Sequence, residues 1–112
     1  MKKTQNVIKL AQLAELVLDS RLSELQAAAR AKQACENQLA GLGQIPQANT
    51  DLEGVAAELA GLNYQRWADM RRAELNQILA RRTVTWLEAR DQAKMAFGKK
   101  QVLTQIAAKQ PS

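Results

Sequence analysis

The spacing of apolar residues constrains this chain more than any other feature. Leu18, Leu22, Leu25 and Ala29 follow one another at steps of four, three and four residues, which is the seam pattern of a coiled-coil helix. Apolar residues recur at helical spacing as far as Ile106, and no stretch shows the alternation of a half-buried strand. We therefore predict an all-α fold built from long helices.

One break divides this helical pattern. Gly41, Gly43 and Pro46 lie close together, and they favour a helix end because glycine adopts the left-handed C-cap conformation and proline cannot continue a helix. Thr50 and Glu53 then have the spacing of a capping box at the start of a second helix. The predicted boundaries are helix 1 over about residues 5–42, a loop over 43–50 and helix 2 over about 51–109.

The composition favours a narrow hydrophobic core between two helices. Aromatic residues are only 4% of the 112 residues, although hydrophobic residues reach 46%. Such a chain can fill the seam between two helices but not a wide core. We predict one domain over residues 1–112, a two-helix antiparallel coiled-coil hairpin with unequal arms.

A tight turn fixes which residues should face each other. If the chain reverses near residue 47, the numbers of paired residues add up to about 94. Leu25 then lies near Met70, and Ile8 lies near Trp86. The part of helix 2 beyond about Arg90 should therefore overhang without a partner in the same chain.

Two irregularities are expected along the seam. In helix 1 a stutter should shift the apolar series by one position, to Ala28, Lys32, Cys35, Leu39 and Leu42. In helix 2 the apolar series should follow an 11-residue repeat, through Trp67, Leu75, Ile78, Trp86, Ala89 and Phe97. At Gly98 two outcomes stay open: a break that leaves a short helix over 99–109, or a continuous helix with one costly glycine.

The residue types argue against catalysis. The chain has no histidine, so the commonest general base and metal ligand is missing. Its one cysteine, Cys35, falls on an inward-facing position and cannot form a disulfide within the chain. We predict that the protein is not an enzyme and has no catalytic residues, metal site or cofactor. Since no signal peptide or membrane-spanning stretch is evident, we expect a cytoplasmic protein without membrane insertion.

Charge is distributed unevenly along the chain. Residues 1–63 carry six basic and seven acidic side chains, whereas residues 64–112 carry ten basic and four acidic ones. The basic arm has three interpretations: a solvated helix face, a docking surface for an acidic protein, or a nucleic-acid-binding surface. The last is less favoured, because Trp67 and Trp86 fit the helical stripe better than they fit base-stacking platforms.

Four segments carry a resemblance to a known family. They are Arg21-Leu22-Ser23-Glu24-Leu25, Tyr64-Gln65-Arg66-Trp67, Trp86-Leu87-Glu88-Ala89-Arg90 and Ala96-Phe97-Gly98-Lys99. The chain resembles small proteins encoded among alphaproteobacterial flagellar genes and, more broadly, the FliJ/YscO class of type III export-apparatus coiled coils. The resemblance implies a stalk or adaptor: a hairpin, similar to the coiled coil of the rotary ATP synthase gamma subunit, that sits in the hexameric export ATPase. It also implies contact with the export gate and substrate chaperones, at the flagellar export apparatus.

The predicted overhang supplies the candidate partner-binding residues. Several apolar side chains there would need a cover, and basic residues flank them. The candidate set is Arg90, Lys94, Phe97, Lys99, Lys100, Val102, Leu103 and Ile106. Two functions remain as alternatives to the export stalk: a basic helical protein that associates with nucleic acid, and a structural module that forms a homodimer.

Overall fold

The computed structural model describes residues 2–43 and 54–109, which form two helices. Helix α1 spans Lys2–Leu42 and helix α2 spans Val55–Lys109, and Gly43 and Gly54 are the only described residues outside them. The all-α class is confirmed, as are the predicted ends at residues 42 and 109. Because α2 continues through residue 98, the continuous-helix alternative is correct. The predicted capping box and most of the predicted loop lie outside the described residues.

The two helices together build two compact units. The Cys35 unit consists of Ala31–Thr83, and the Leu18 unit consists of Met1–Arg30 with Val84–Ser112. Each unit therefore pairs a segment of α1 with an antiparallel segment of α2, as a helical hairpin requires. Whether the chain behaves as the single domain expected from its sequence stays a prediction.

In the Cys35 unit, two hydrogen bonds between the helices fix the register. The Cys35 Sγ donates to the Leu75 carbonyl oxygen at 3.2 Å, and the Arg82 Nη1 donates to the Ala31 carbonyl oxygen at 2.7 Å. The residue numbers 35 and 75 add up to 110. The predicted sum of about 94, which assumed a tight turn near residue 47, is therefore wrong.

In this register, the part of the longer helix α2 that extends beyond α1 lies at the N-terminal end of α2 and not at its C-terminal end. Leu42, the last residue of α1, shares a hydrophobic cluster with Ala68, and Tyr64 packs against this cluster, so the residues of α2 from Val55 to Asn63 precede the paired region. The arms are unequal, as predicted. The overhang beyond Arg90 is wrong, because the C-terminal part of α2 packs with the N-terminal part of α1 in the Leu18 unit.

The seam of α1 is regular. One unbroken series with alternating steps of three and four residues is buried or half-buried throughout. Its members are Thr4, Val7, Ala11, Ala14, Leu18, Arg21, Leu25, Ala28, Lys32, Cys35, Leu39 and Leu42. The predicted stutter is therefore wrong, and Leu22, which it placed on the seam, is 47% exposed. Arg21 and Lys32 can occupy seam positions because their aliphatic stems cover apolar surface while their charges reach solvent.

The seam of α2 contains a single irregular step. Every member of its series is buried or half-buried. The series runs through Tyr64, Ala68, Arg71, Leu75, Ile78, Arg82, Trp86, Ala89, Ala93, Ala96, Lys100, Leu103 and Ala107. The steps from Ile78 to Arg82 and from Arg82 to Trp86 are both four residues long, which makes one 11-residue interval from Leu75 to Trp86. We predicted that such intervals would repeat along helix 2. Leu75, Ile78, Trp86 and Ala89 are on the seam as predicted, but Trp67 and Phe97 are 55% and 53% exposed.

Glycine acts at the start of α2 and not at the end of α1. The Gly43 amide donates to the Ala40 carbonyl oxygen at 3.2 Å, which tightens the last turn of α1. Among the described residues only Gly54 has a positive φ, of 67°. Its carbonyl oxygen accepts a hydrogen bond from the Glu58 amide, the first bond of α2. The left-handed cap predicted at Gly41–Gly43 is therefore wrong.

Candidate functional site

The eight candidate binding residues do not form one surface. Lys100 and Leu103 belong to the α2 seam and are half-buried. Arg90 is also half-buried: its guanidinium lies 5.5 Å from the centre of the Trp86 ring and 3.7 Å from the Asp91 carboxylate. Lys100 and Leu103 therefore help to hold the Leu18 unit together, whereas the contacts of Arg90 lie within α2. Only part of each of the three side chains is open to a partner.

The other five candidates are exposed but lie on opposite sides of the hairpin. The exposed members are Lys94, Phe97, Lys99, Val102 and Ile106. Each heptad has two seam positions, three residues apart. In an antiparallel coiled coil, residues that directly precede the first seam position line one side, and residues that directly follow the second line the other. Ile106 precedes Ala107, whereas Phe97 follows Ala96. Ile106 and Phe97 therefore cannot contact the same flat partner surface.

The first side, which we call the Leu13 face, carries apolar residues on both helices. On α1, Leu10 and Val17 directly precede the seam residues 11 and 18, and Leu13 lies between them at the same three-four spacing. On α2, Met95, Val102 and Ile106 occupy the equivalent positions. All six side chains are between 41% and 57% exposed.

The sequence contained a signal for this face that our interpretation missed. Leu10, Leu13 and Val17 have coiled-coil spacing, but we assigned the leucines of helix 1 to the seam between the two helices. The seam at this level consists instead of Ala11 and Ala14. Helix α1 therefore carries two apolar stripes in the Leu18 unit, one containing alanine on the seam and one of larger residues on the Leu13 face.

The opposite side, which we call the Phe97 face, is smaller and basic on α2. Phe97 is 53% exposed, and Ile8 and Leu22 of α1, which follow seam residues in the same way, are 44% and 47% exposed. Arg90 and Lys94 precede Phe97 by seven and three residues and so lie along the same side of α2. This face therefore combines an exposed aromatic ring with two cationic side chains.

Many basic side chains of the predicted basic arm have partners within the hairpin. Arg71 and Arg72 bind Glu74 and Asp69 at 3.1 and 2.9 Å. Arg82, as described above, donates its hydrogen bond across the seam. These contacts favour the interpretation of a solvated, paired surface for the middle of α2. They leave less charge for the backbone of a nucleic acid than the residue count suggests.

A concave feature lies within the Cys35 unit. A cavity of about 260 Å³ lies at the end of α1, with Leu42, Tyr64 and Ala68 among its lining residues. Its charged lining residues, Asp69 and Arg72, bind each other. No group of three or more Cys, His, Asp or Glu residues within 2–43 and 54–109 is placed to hold a metal ion.

Cys35 is buried, as its position on the seam predicted. Its side chain is 0% exposed within the cluster that includes Leu75. Of the two described helices, neither combines the length and apolarity needed to cross a membrane.

Comparison with known proteins adds no relative. The chain matches no protein-family model, no curated protein and no solved structure.

Proposed function

We propose that this protein is a non-enzymatic helical adaptor that binds other proteins through exposed side chains outside its seam. The observation that carries the proposal is the Phe97 face, where a half-exposed aromatic ring lies along the same side of α2 as Arg90 and Lys94. Aromatic residues and arginine dominate the energetics of protein–protein interfaces. An acidic, partly apolar protein surface is the partner that complements this combination.

The partner we propose is the hexameric ATPase of a flagellar type III export apparatus. Support comes from the resemblance of the segments around Arg21, Trp67, Trp86 and Phe97 to export-apparatus stalk proteins. It also comes from the two-helix hairpin, since a pair of long helices can enter a ring and present side chains on several sides. The export gate and substrate chaperones are further partners that the resemblance implies.

The proposal is tested by titrating the protein into the purified export ATPase of the same organism. We expect saturable binding, and Phe97→Ala should weaken it by roughly tenfold or more, as truncation of a hot-spot aromatic residue does. Lys94→Glu should slow association mainly at low salt, because exposed charges act on the encounter rate. Leu16→Ala is the matched control, since Leu16 is exposed but lies away from both faces.

Two outcomes would overturn this proposal. Absence of saturable binding by the unaltered protein would remove the ATPase as partner. Binding that Phe97→Ala leaves unchanged would remove the Phe97 face as the contact. A shift of labelled DNA or RNA that disappears as salt rises would favour the nucleic-acid alternative.

A further inference from the structure

We infer that the Leu13 face is the interface of an antiparallel homodimer, in which two hairpins stack face to face as a four-helix bundle. The first reason is the unusual distribution of apolar residues in the Leu18 unit. Its buried seam residues are Leu18, Ala93 and Ala96, whereas the six large apolar side chains of the Leu13 face are about half-exposed. Exposed apolar side chains arranged as a continuous stripe across two helices mark an interaction surface.

The second reason is that the face is complementary to itself. In a twofold dimer with antiparallel hairpins, each helix packs on its own copy, so the numbers of facing residues have a constant sum. With a sum close to 27 in α1, Leu10 faces Val17 of the other copy and Leu13 lies near the axis. With a sum of 197 in α2, Met95 faces Val102 of the other copy. Every one of these residues is apolar and exposed.

The third reason is that charged residues at the two ends of the face would pair in the same antiparallel arrangement, because their residue numbers have the same sums. Lys3 and Lys109 lie at one end, and Glu24 and Glu88 lie at the other, and all four are exposed. The numbers 3 and 24 add up to 27, and 88 and 109 add up to 197. The antiparallel dimer therefore places basic residues of each copy over acidic residues of the other, whereas a parallel dimer would bring like charges together.

The axes derived from the two helices agree to within about one residue, or about 1.5 Å. A sum of 27 places the twofold axis between residues 13 and 14 of α1, and a sum of 197 places it between residues 98 and 99 of α2. Within the Leu18 unit, Leu18 and Ala93 are both buried on the seam, and their numbers add up to 111. If these two residues lie at one level, the α1 axis position between residues 13 and 14 corresponds to a position between residues 97 and 98 of α2. That position is one residue from the one given by the sum of 197, so one axis can serve both helices.

The size of the face suits a weak dimer. From residue 3 to residue 24, α1 is about 32 Å long, and two helices side by side are about 20 Å wide. Each copy would bury roughly 600 Å², or roughly 1,200 Å² in total, which is at the low end of specific interfaces. We therefore expect a dissociation constant in the micromolar range.

Lys99 lies near the proposed twofold axis and should weaken the dimer. It is exposed and directly precedes the seam residue Lys100, so the two copies of Lys99 would approach each other. Their long side chains can carry the ammonium groups to the rim, but at some loss of affinity. Lys99→Leu should therefore strengthen the dimer, by tenfold or more.

The dimer is tested by sedimentation equilibrium at protein concentrations from roughly 1 to 300 μM. This range brackets the expected micromolar dissociation constant. We expect a monomer–dimer equilibrium in the unaltered protein. Leu13→Glu should abolish dimerisation while the circular dichroism of the dilute monomer stays helical. Leu16→Glu is the matched control and should leave the equilibrium within about twofold, because Leu16 lies off the face. A protein that stays monomeric over the whole range would overturn the proposal.

A charge exchange tests the orientation. Glu88→Lys alone and Lys109→Glu alone should each weaken the dimer about threefold to tenfold, and the double variant should recover most of the loss because the exchanged charges meet again across the axis. A double variant as weak as the sum of the two single variants would contradict the antiparallel arrangement. Dimer formation is read from mass alone, so its failure is distinguishable from a failure to bind the export ATPase.

Discussion

The Cys35 unit and the Leu18 unit use apolar residues differently, although the same two helices form both. The Cys35 unit places large side chains between the helices, where Leu42 and Leu75 are 9% and 2% exposed. The Leu18 unit fills much of its seam with alanine and carries most of its large apolar residues outside it. Side chains inside a seam stabilise the hairpin itself, whereas side chains outside it can only stabilise association. We conclude that large seam side chains contribute more to the internal stability of the Cys35 unit than to that of the Leu18 unit, and that the exposed apolar residues of the Leu18 unit are the basis of the contacts proposed above.

The largest effect expected from this comparison is on leucines inside and outside the seam. Leu75→Ala should lower the free energy of unfolding by about 2–5 kcal/mol, because it removes buried methyl groups and leaves a cavity. Leu16→Ala should change it by less than about 0.5 kcal/mol, because Leu16 is 64% exposed. Urea denaturation followed by circular dichroism at a few micromolar protein measures both. Equal destabilisation by the two variants would contradict the assignment of Leu75 to the seam and Leu16 to the surface.

A smaller effect is expected where the Cys35 unit uses a directional contact between the helices. Arg82→Met keeps most of the aliphatic stem but removes the hydrogen bond to the Ala31 carbonyl oxygen. We expect a loss of about 1–2 kcal/mol, the range for a half-buried hydrogen bond from a charged donor. Arg66 is exposed, so Arg66→Met should be nearly neutral in the same denaturation assay. If both arginines prove equally dispensable, the bond to Ala31 does not help to fix the register.

The sequence predicted the helices well because long-range information is not needed for them. The end at Leu42 was predicted from glycine and proline in the sequence near it, although the left-handed glycine cap is not formed there, and the end at Lys109 was predicted from the limit of the apolar pattern. Inward positions such as Leu18 and Leu75 follow from periodicity alone. The chemistry of the ends and the period of the pattern are local properties of the chain.

The seam positions could not all be predicted, because the seam is not marked by hydrophobicity. Arg21 and Lys32 are half-buried on the seam, whereas Leu22 is exposed. A search for the most apolar series therefore followed Leu22 and inferred a stutter. The alanines of the Leu18 unit are equally uninformative, since a small residue fits both a seam and a surface. The divided candidate site results from this error in the seam, whereas the misplaced overhang results from the assumed tight turn near residue 47, which gave a sum of about 94 in place of 110.

The smallest effect concerns a glycine in the Leu18 unit that the fold does not require. Gly98 lies within α2, and a methyl group added there would meet no atom within 4 Å. Gly98→Ala should therefore stabilise the protein by about 0.5–1 kcal/mol, mainly because alanine has less conformational freedom to lose on folding. Gly54 provides the contrast, because its φ of 67° is unfavourable for any residue with a Cβ. Gly54→Ala should destabilise by about 1 kcal/mol, and thermal melting at one protein concentration measures both changes. A lower melting temperature for Gly98→Ala would mean that α2 needs a flexible point at residue 98, which a continuous helix in the Leu18 unit does not allow.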